Sequence, residues 1–213
     1  MPVVVPLGLG AIAVLAAAAN WVARGTDTKW LEYLTKPTVP LALAGVAATL
    51  EPADDAQRWC FVAGLVACAA GDTLLMLPVE RFVAGLAAFL AGHVAFLVGF
   101  AQHPASMPGV GVAIVGLVVA VAGQRSLGRV LRAALARSRP LGSAVALYVV
   151  AIVAMALAAG RSGGPFGWVG AGAFVASDTV LAHNRFVAPV RDAPVMIMVS
   201  YHLALGALTA ALR

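Results

Sequence analysis

Eight runs rich in Ala, Val, Leu and Gly follow one another along this chain, separated by short stretches that carry most of its charge. They fall at about 3–23, 37–50, 59–77, 82–101, 109–123, 141–159, 166–182 and 193–212. Long apolar runs near the ~20 residues that cross a bilayer predict transmembrane helices. Pro37 suits the first turn of the second helix, where a missing N–H is not needed, and Pro78 ends the third. The first run has no basic stretch before it and is long enough to span, so a transmembrane helix is expected there and not a cleaved signal. The expected fold is all-α, a polytopic membrane bundle of about eight transmembrane helices. It forms a single transmembrane domain over residues 1–213.

Composition agrees with that pattern. Of 213 residues, 62% are hydrophobic and 11% charged, where soluble domains carry ~25% charge. The net charge of +5 does not point to nucleic acid, because the basic residues sit in short links, where they set topology. Eleven of the fourteen Lys and Arg lie on one side, five of them in the 124–140 link: Arg125, Arg129, Arg132, Arg137 and Arg139. The positive-inside rule puts that side in the cytoplasm and both termini outside, in the cytoplasmic (inner) membrane. Cys60 and Cys68, eight apart in one helix, suggest core residues, neither a metal pair nor a disulfide.

Two bare carboxylates break the apolar pattern. Asp72 sits in Gly71-Asp72-Thr73-Leu74-Leu75 near the end of the third helix, and Asp178 in Ser177-Asp178-Thr179-Val180-Leu181-Ala182 near the end of the seventh. An ionisable group at membrane depth costs at least ~2.5–3.5 kcal/mol on insertion scales, so it marks a functional site by default. Other features recur in the same order: Lys36-Pro37 and Arg139-Pro140, Arg81-Phe82 and Arg185-Phe186, His93 and His202. This predicts a 4+4 tandem repeat, about 1–105 and 106–213, with a pseudo-two-fold axis along the membrane normal.

Such an axis brings Asp72 and Asp178 together, each ~6–8 Å below the cytoplasmic helix ends. Lys36, Arg139, Arg81 and Arg185 would then ring the mouth, with His93 and His202 some ~14–17 Å in. A basic rim suits an anionic head group, and neighbouring carboxyls are driven apart in pKa, so one donates a proton while the other accepts. Asn184, Tyr148 and Tyr201 complete the candidate substrate-binding set. Each also has an ordinary reading, a helix-end residue for Asn184 and packing aromatics for the tyrosines.

The Lys-Pro opening of helix two, Gly71 to Leu75, and the series Phe82, Gly85, Phe89, His93 resemble the YhhN-like lysoplasmalogenase family. So do Ser177 to Ala182 with Arg185-Phe186 after it, and the aromatic start of helix eight at Tyr201. The resemblance covers about residues 36–205. It implies eight spans and hydrolysis of the vinyl-ether bond of lysoplasmalogens, with Asp72 and Asp178 as the catalytic pair and a lysophospholipid as partner. Two positions depart from the family, Phe96 where a tyrosine is frequent and Leu205 where a glutamine is, and they bear on substrate more than fold. One acid and one base of this kind serve glycosidases for a related cation. No cofactor is expected.

Three other readings are weighed: a zinc hydrolase, a transporter and a non-catalytic scaffold. The four histidines, His93, His103, His183 and His202, show neither His-x-x-x-His nor His-Glu-x-x-His, so no metal is expected. A transporter of small solutes or lipids would use the aspartates for coupling and need polar groups continuing to the far side. The sequence offers little there beyond Gln102 and His103.

Overall fold

The structure is a computed structural model and describes residues 4–51, 54–77, 79, 81–102, 108–162 and 164–212. Pro78, Glu80 and His103, and the side chain of Arg125, lie outside the described residues. The rest is all-α. In chain order the helices are α1 Val4–Gly25, α2 Lys29–Thr35, α3 Thr38–Thr49, α4 Asp55–Met76 and α5 Phe82–Ala101. Then come α6 Pro108–Ala122, a π-helical turn Gly123–Leu127, α7 Gly128–Arg137, α8 Arg139–Ser162, α9 Gly164–Phe186 and α10 Ala193–Ala210.

Every one of the eight apolar runs is helical. Among the described residues, α1, α4, α5, α8 and α10 are long and apolar enough to cross a membrane, and the chain is an integral membrane protein. The helices α3 and α6 are shorter, at 12 and 15 residues.

Two links read as polar connections are helical instead. In the arginine-rich link, Val130 and Ala134 stand one turn apart and bury against α8, while Arg129, Arg132 and Arg137 are exposed. A charge count alone misses this amphipathic period. In the first link, α2 runs almost directly into α3 at Lys36. The Lys36 N–H still donates to Glu32 O at 3.0 Å. Pro37 and Pro40 then supply no N–H, so the ladder breaks and the two helices part there. That joint aims the Lys36 side chain inward.

The long pair α4 and α5 packs together, as does α9 with α10. Helix α3 lies on α4 as α8 lies on α9, and α1 on α3 as α6 on α8. Contacts of α5 with α8 and of α3 with α10 join the two groups. Between lipid-like surfaces the hydrophobic effect gives little, so close fit holds helices together. Gly71 shows this. A Cβ there would sit 2.7 Å from the Phe89 ring of α5, so the glycine makes the seat that ring fills.

The tightest crossing joins α6 and α8. A Cβ on Gly111 would overlap Gly160 O and the Trp168 indole, and one on Gly160 would lie 3.0 Å from Gly111 O. These obstacles include backbone, which cannot rotate away. Gly111→Ala is therefore expected to destabilise the bundle by about 1–3 kcal/mol or more. Gly116→Ala in the same helix, with nothing within 4 Å, is expected to be neutral or slightly stabilising. Thermal unfolding of both variants in one detergent checks the contrast.

Candidate functional site

Asp72 occupies the last turns of α4, where Gly71 lets α5 approach on one side. Its side chain is 1% exposed. Tyr201 Oη, from α10, donates to its Oδ2 at 2.8 Å. The Lys36 ammonium stands 3.7 Å from its other oxygen, which has no hydrogen-bond partner among the described residues. A carboxylate held this deep requires such a countercharge.

Asp178 stands eight residues before the end of α9, where Asp72 stands four before the end of α4, because α9 continues to Phe186 and not to the expected Ala182. It is more open, at 16%. Tyr148 Oη, from α8, donates to its Oδ2 at 2.6 Å. His93, fully buried on α5, places Nε2 2.9 Å from the Tyr148 oxygen and 3.4 Å from the same Asp178 oxygen. The His93 Nδ1 is buried without a partner among the described residues. A bare lone pair is tolerated there better than an orphaned N–H, so the proton belongs on Nε2. His93 then donates to Tyr148, and Tyr148 to Asp178. Thr73 and Thr179, beside the two acids, donate to the carbonyls of Ala69 and Val175 one turn back. Neither threonine competes for a carboxylate.

Both aspartates line one cavity of about 500 Å³, together with Lys36, Tyr201, Asn184 and Arg185. Its mouth lies where α1, α4 and α9 end and α10 begins. The small helix α2 forms part of that mouth, within the stretch 24–36 that the sequence predicts to be a polar link. Arg24 Nη1 meets Glu32 Oε2 at 2.7 Å, Lys29 reaches the same oxygen at 3.4 Å, and all three line the cavity with Tyr33. The one sequence signal for this was a lone Glu32 among Trp30, Leu31, Tyr33 and Leu34. Lys29 also donates to Asp27 at 2.9 Å, which lowers the Asp27 carboxyl below its usual range and raises the Lys29 ammonium above its own.

Other expected positions fall elsewhere. Arg81 and Arg139 are exposed at the starts of α5 and α8 and line neither this cavity nor a smaller one that adjoins it between α5, α8 and α9. The ring of four cations reduces to Lys36 and Arg185, joined by Arg24 and Lys29. His202 lies at the α1–α10 contact, where its Nδ1 accepts from Trp21 Nε1 at 3.0 Å, and it too lines neither cavity. The pseudo-symmetry expected from the sequence does not hold at this detail. His93 meets the Asp178 group, while on the other side Tyr201 takes the corresponding place beside Asp72. Asn184 has two roles, lining the cavity and accepting from Val190 N at 2.9 Å, which pins the turn into α10. Arg185 lies over the Phe82 ring, 4.9 Å from its centroid.

Residues 31–212 match the profile of the YhhN family. This chain belongs to the YhhN family. It is 32% identical over 176 residues to the lysoplasmalogenase TMEM86B of Homo sapiens, covering 82% of this chain and 72% of that protein. No solved structure matches. The positions at which this YhhN chain departs from the expected motifs, Phe96 and Leu205, are fully buried and line neither cavity. Phe96 packs edge-on to Phe61, with its ring against Gly64.

Proposed function

We propose that this chain is a membrane hydrolase that cleaves the vinyl-ether bond of lysoplasmalogens, using Asp72 and Asp178 as a paired acid and base. The supporting observation is that one cavity receives a carboxyl from each half of the chain, each oriented by a tyrosine hydroxyl and set among cations. The name of the human relative agrees with it.

The chemistry needs no more than this. A carboxylic acid gives its proton to the alkenyl carbon β to the ether oxygen, and the oxygen lone pair stabilises the resulting cation. Water adds to the α carbon and gives up a proton to a carboxylate. The hemiacetal then collapses to a fatty aldehyde and the free glycerophospho head group. Lys36 and Arg185, with Arg24 and Lys29 at the rim, offer positive charge for the phosphate.

In the same reading the chain spans the inner membrane eight times as one domain, with both termini outside and the mouth facing the cytoplasm. The repeated pairing of α1, α3, α4 and α5 by α6, α8, α9 and α10 supports a 4+4 repeat. The transporter reading has less support. One turn deeper than Asp178 and Tyr201 stand Phe174 and Leu205, both fully buried, so along α9 and α10 the next side chains in are apolar.

Purified protein incubated with lysoplasmalogen is expected to release fatty aldehyde, measured by a coupled dehydrogenase or mass spectrometry. Folded protein that leaves this substrate intact would refute the hydrolase.

A further inference from the structure

A second cavity of about 130 Å³ adjoins the polar one, between α5, α8, α9, the π turn and α7. The two share one wall: Leu75, Phe82, Phe89, Asp178, Leu181 and Arg185. Away from that wall the smaller cavity is mostly aliphatic. Its deep end is Val119, Ile152, Val153 and Val175. Among the described residues its other polar side chains are already engaged: Tyr148 donates to Asp178, Thr179 to Val175 O, and Ser126 pairs with His183 Nδ1 at 3.1 Å. Along α9 the slot runs from Val175 to Phe186, or ~16 Å at ~1.5 Å per residue.

We infer that this slot is the subsite for the aliphatic chain of a single-chain phospholipid, holding the carbons next to the ether oxygen. The inference rests on the lysoplasmalogen reading above and deepens it. An apolar cavity of ~150 Å³ takes a benzene, so about 130 Å³ suits roughly half a dozen carbons. With the phosphate among the cations and the first chain carbons in the slot, the bond between them crosses the shared wall. Among the described residues, Asp178 is the one carboxyl on that wall. Asp178 is therefore the acid that protonates the alkenyl carbon, and Asp72, beside Lys36, is the ionised partner.

The slot acts by position and adds little affinity. A lipid chain leaves one apolar medium for another on entering it, so burial gains almost nothing. What the slot supplies is a fixed register between the alkenyl carbon and Asp178, where ~1 Å of misplacement is worth ~10²-fold in rate. Val153→Phe fills the deep end and is expected to lower kcat/KM for lysoplasmalogen about 100-fold. Leu203→Phe, on an exposed face of α10, is expected to leave it unchanged.

A direct test that does not depend on turnover uses a lysophosphatidylethanolamine carrying a diazirine on the fifth carbon of its chain. Photolysis with the full chain in lipid nanodiscs, followed by peptide mass spectrometry, is expected to label the segments around Ile152, Val153 and Val175. That labelling is expected to fall at least tenfold in Val153→Phe. Adducts spread over lipid-facing positions such as Leu117 and Leu203, with equal yields in wild type and Val153→Phe, would overturn the slot. Aldehyde release by the same wild-type preparation separates the two ideas. Activity with scattered adducts sinks the slot alone, and slot labelling without aldehyde sinks the hydrolase reading but keeps the chain-binding site.

Discussion

Asp178→Asn is expected to lower aldehyde release by about 10²–10⁴-fold, the range general acid catalysis supplies, and to leave the bundle folded. The amide keeps the shape of the carboxyl and can still accept from Tyr148, 2.6 Å away, but has no acidic proton to give to carbon. Asp72→Asn is expected to lose activity on a similar scale by a different route. It removes the charge that faces Lys36 at 3.7 Å, and with it the carboxylate that takes the proton from water. Rate measurements on both variants, with circular dichroism to confirm folding, check this. Undiminished turnover in either one would end the paired-acid mechanism.

Tyr148→Phe separates orientation from acidity. It removes the hydroxyl that joins His93 to Asp178 and leaves the carboxyl in place. A smaller loss than that of Asp178→Asn is expected, about fivefold, by analogy with the ~1 kcal/mol of a single hydrogen bond, measured as aldehyde release.

The second large effect is expected at Lys36. Its side chain is 9% exposed and that of Asp72 1%, so removing one partner strands the other away from water. Breaking a buried pair in this way costs about 3–5 kcal/mol, whereas removing both charges is often neutral. Lys36→Met is therefore expected to unfold at a markedly lower temperature than wild type. Lys36→Met/Asp72→Asn is expected to recover most of that loss while staying inactive, and Lys36→Arg to keep the fold. A four-variant thermal cycle in one detergent measures the coupling directly. A double variant no more stable than Lys36→Met would show that the two side chains do not interact.

The positions of the helices were legible in the residues because a bilayer imposes one rule. Backbone groups must be bonded within their own segment, so each long apolar run has to become a helix. The same rule made Asp72 and Asp178 conspicuous, since nothing apolar requires a carboxylate there. Where the medium is water and interface, the pattern loses that force. Helices α2 and α7 escaped notice for this reason. Their periodicity is written in a few residues, Glu32 among apolar neighbours and Val130 with Ala134, amid charges that read as topology.

Partner choice was the part a repeat pattern could not supply. Lys36 and Arg139 are alike in sequence, each followed by a proline, yet Lys36, at the joint between α2 and α3, is buried against Asp72, and Arg139, at the start of α8, stays exposed. His93 and His202 are alike too, but one reaches the Tyr148–Asp178 pair and the other accepts from Trp21. By itself, then, the sequence determined an integral membrane helical protein with two out-of-place acids, because hydropathy and the price of burying charge act residue by residue. Which tyrosine meets which acid, which cations reach the cavity, and the apolar slot beside Asp178 were decided only by tertiary packing. Those contacts join residues far apart in the chain, 129 positions for Tyr201 and Asp72 and 181 for Trp21 and His202, and depend on how the helices seat against one another.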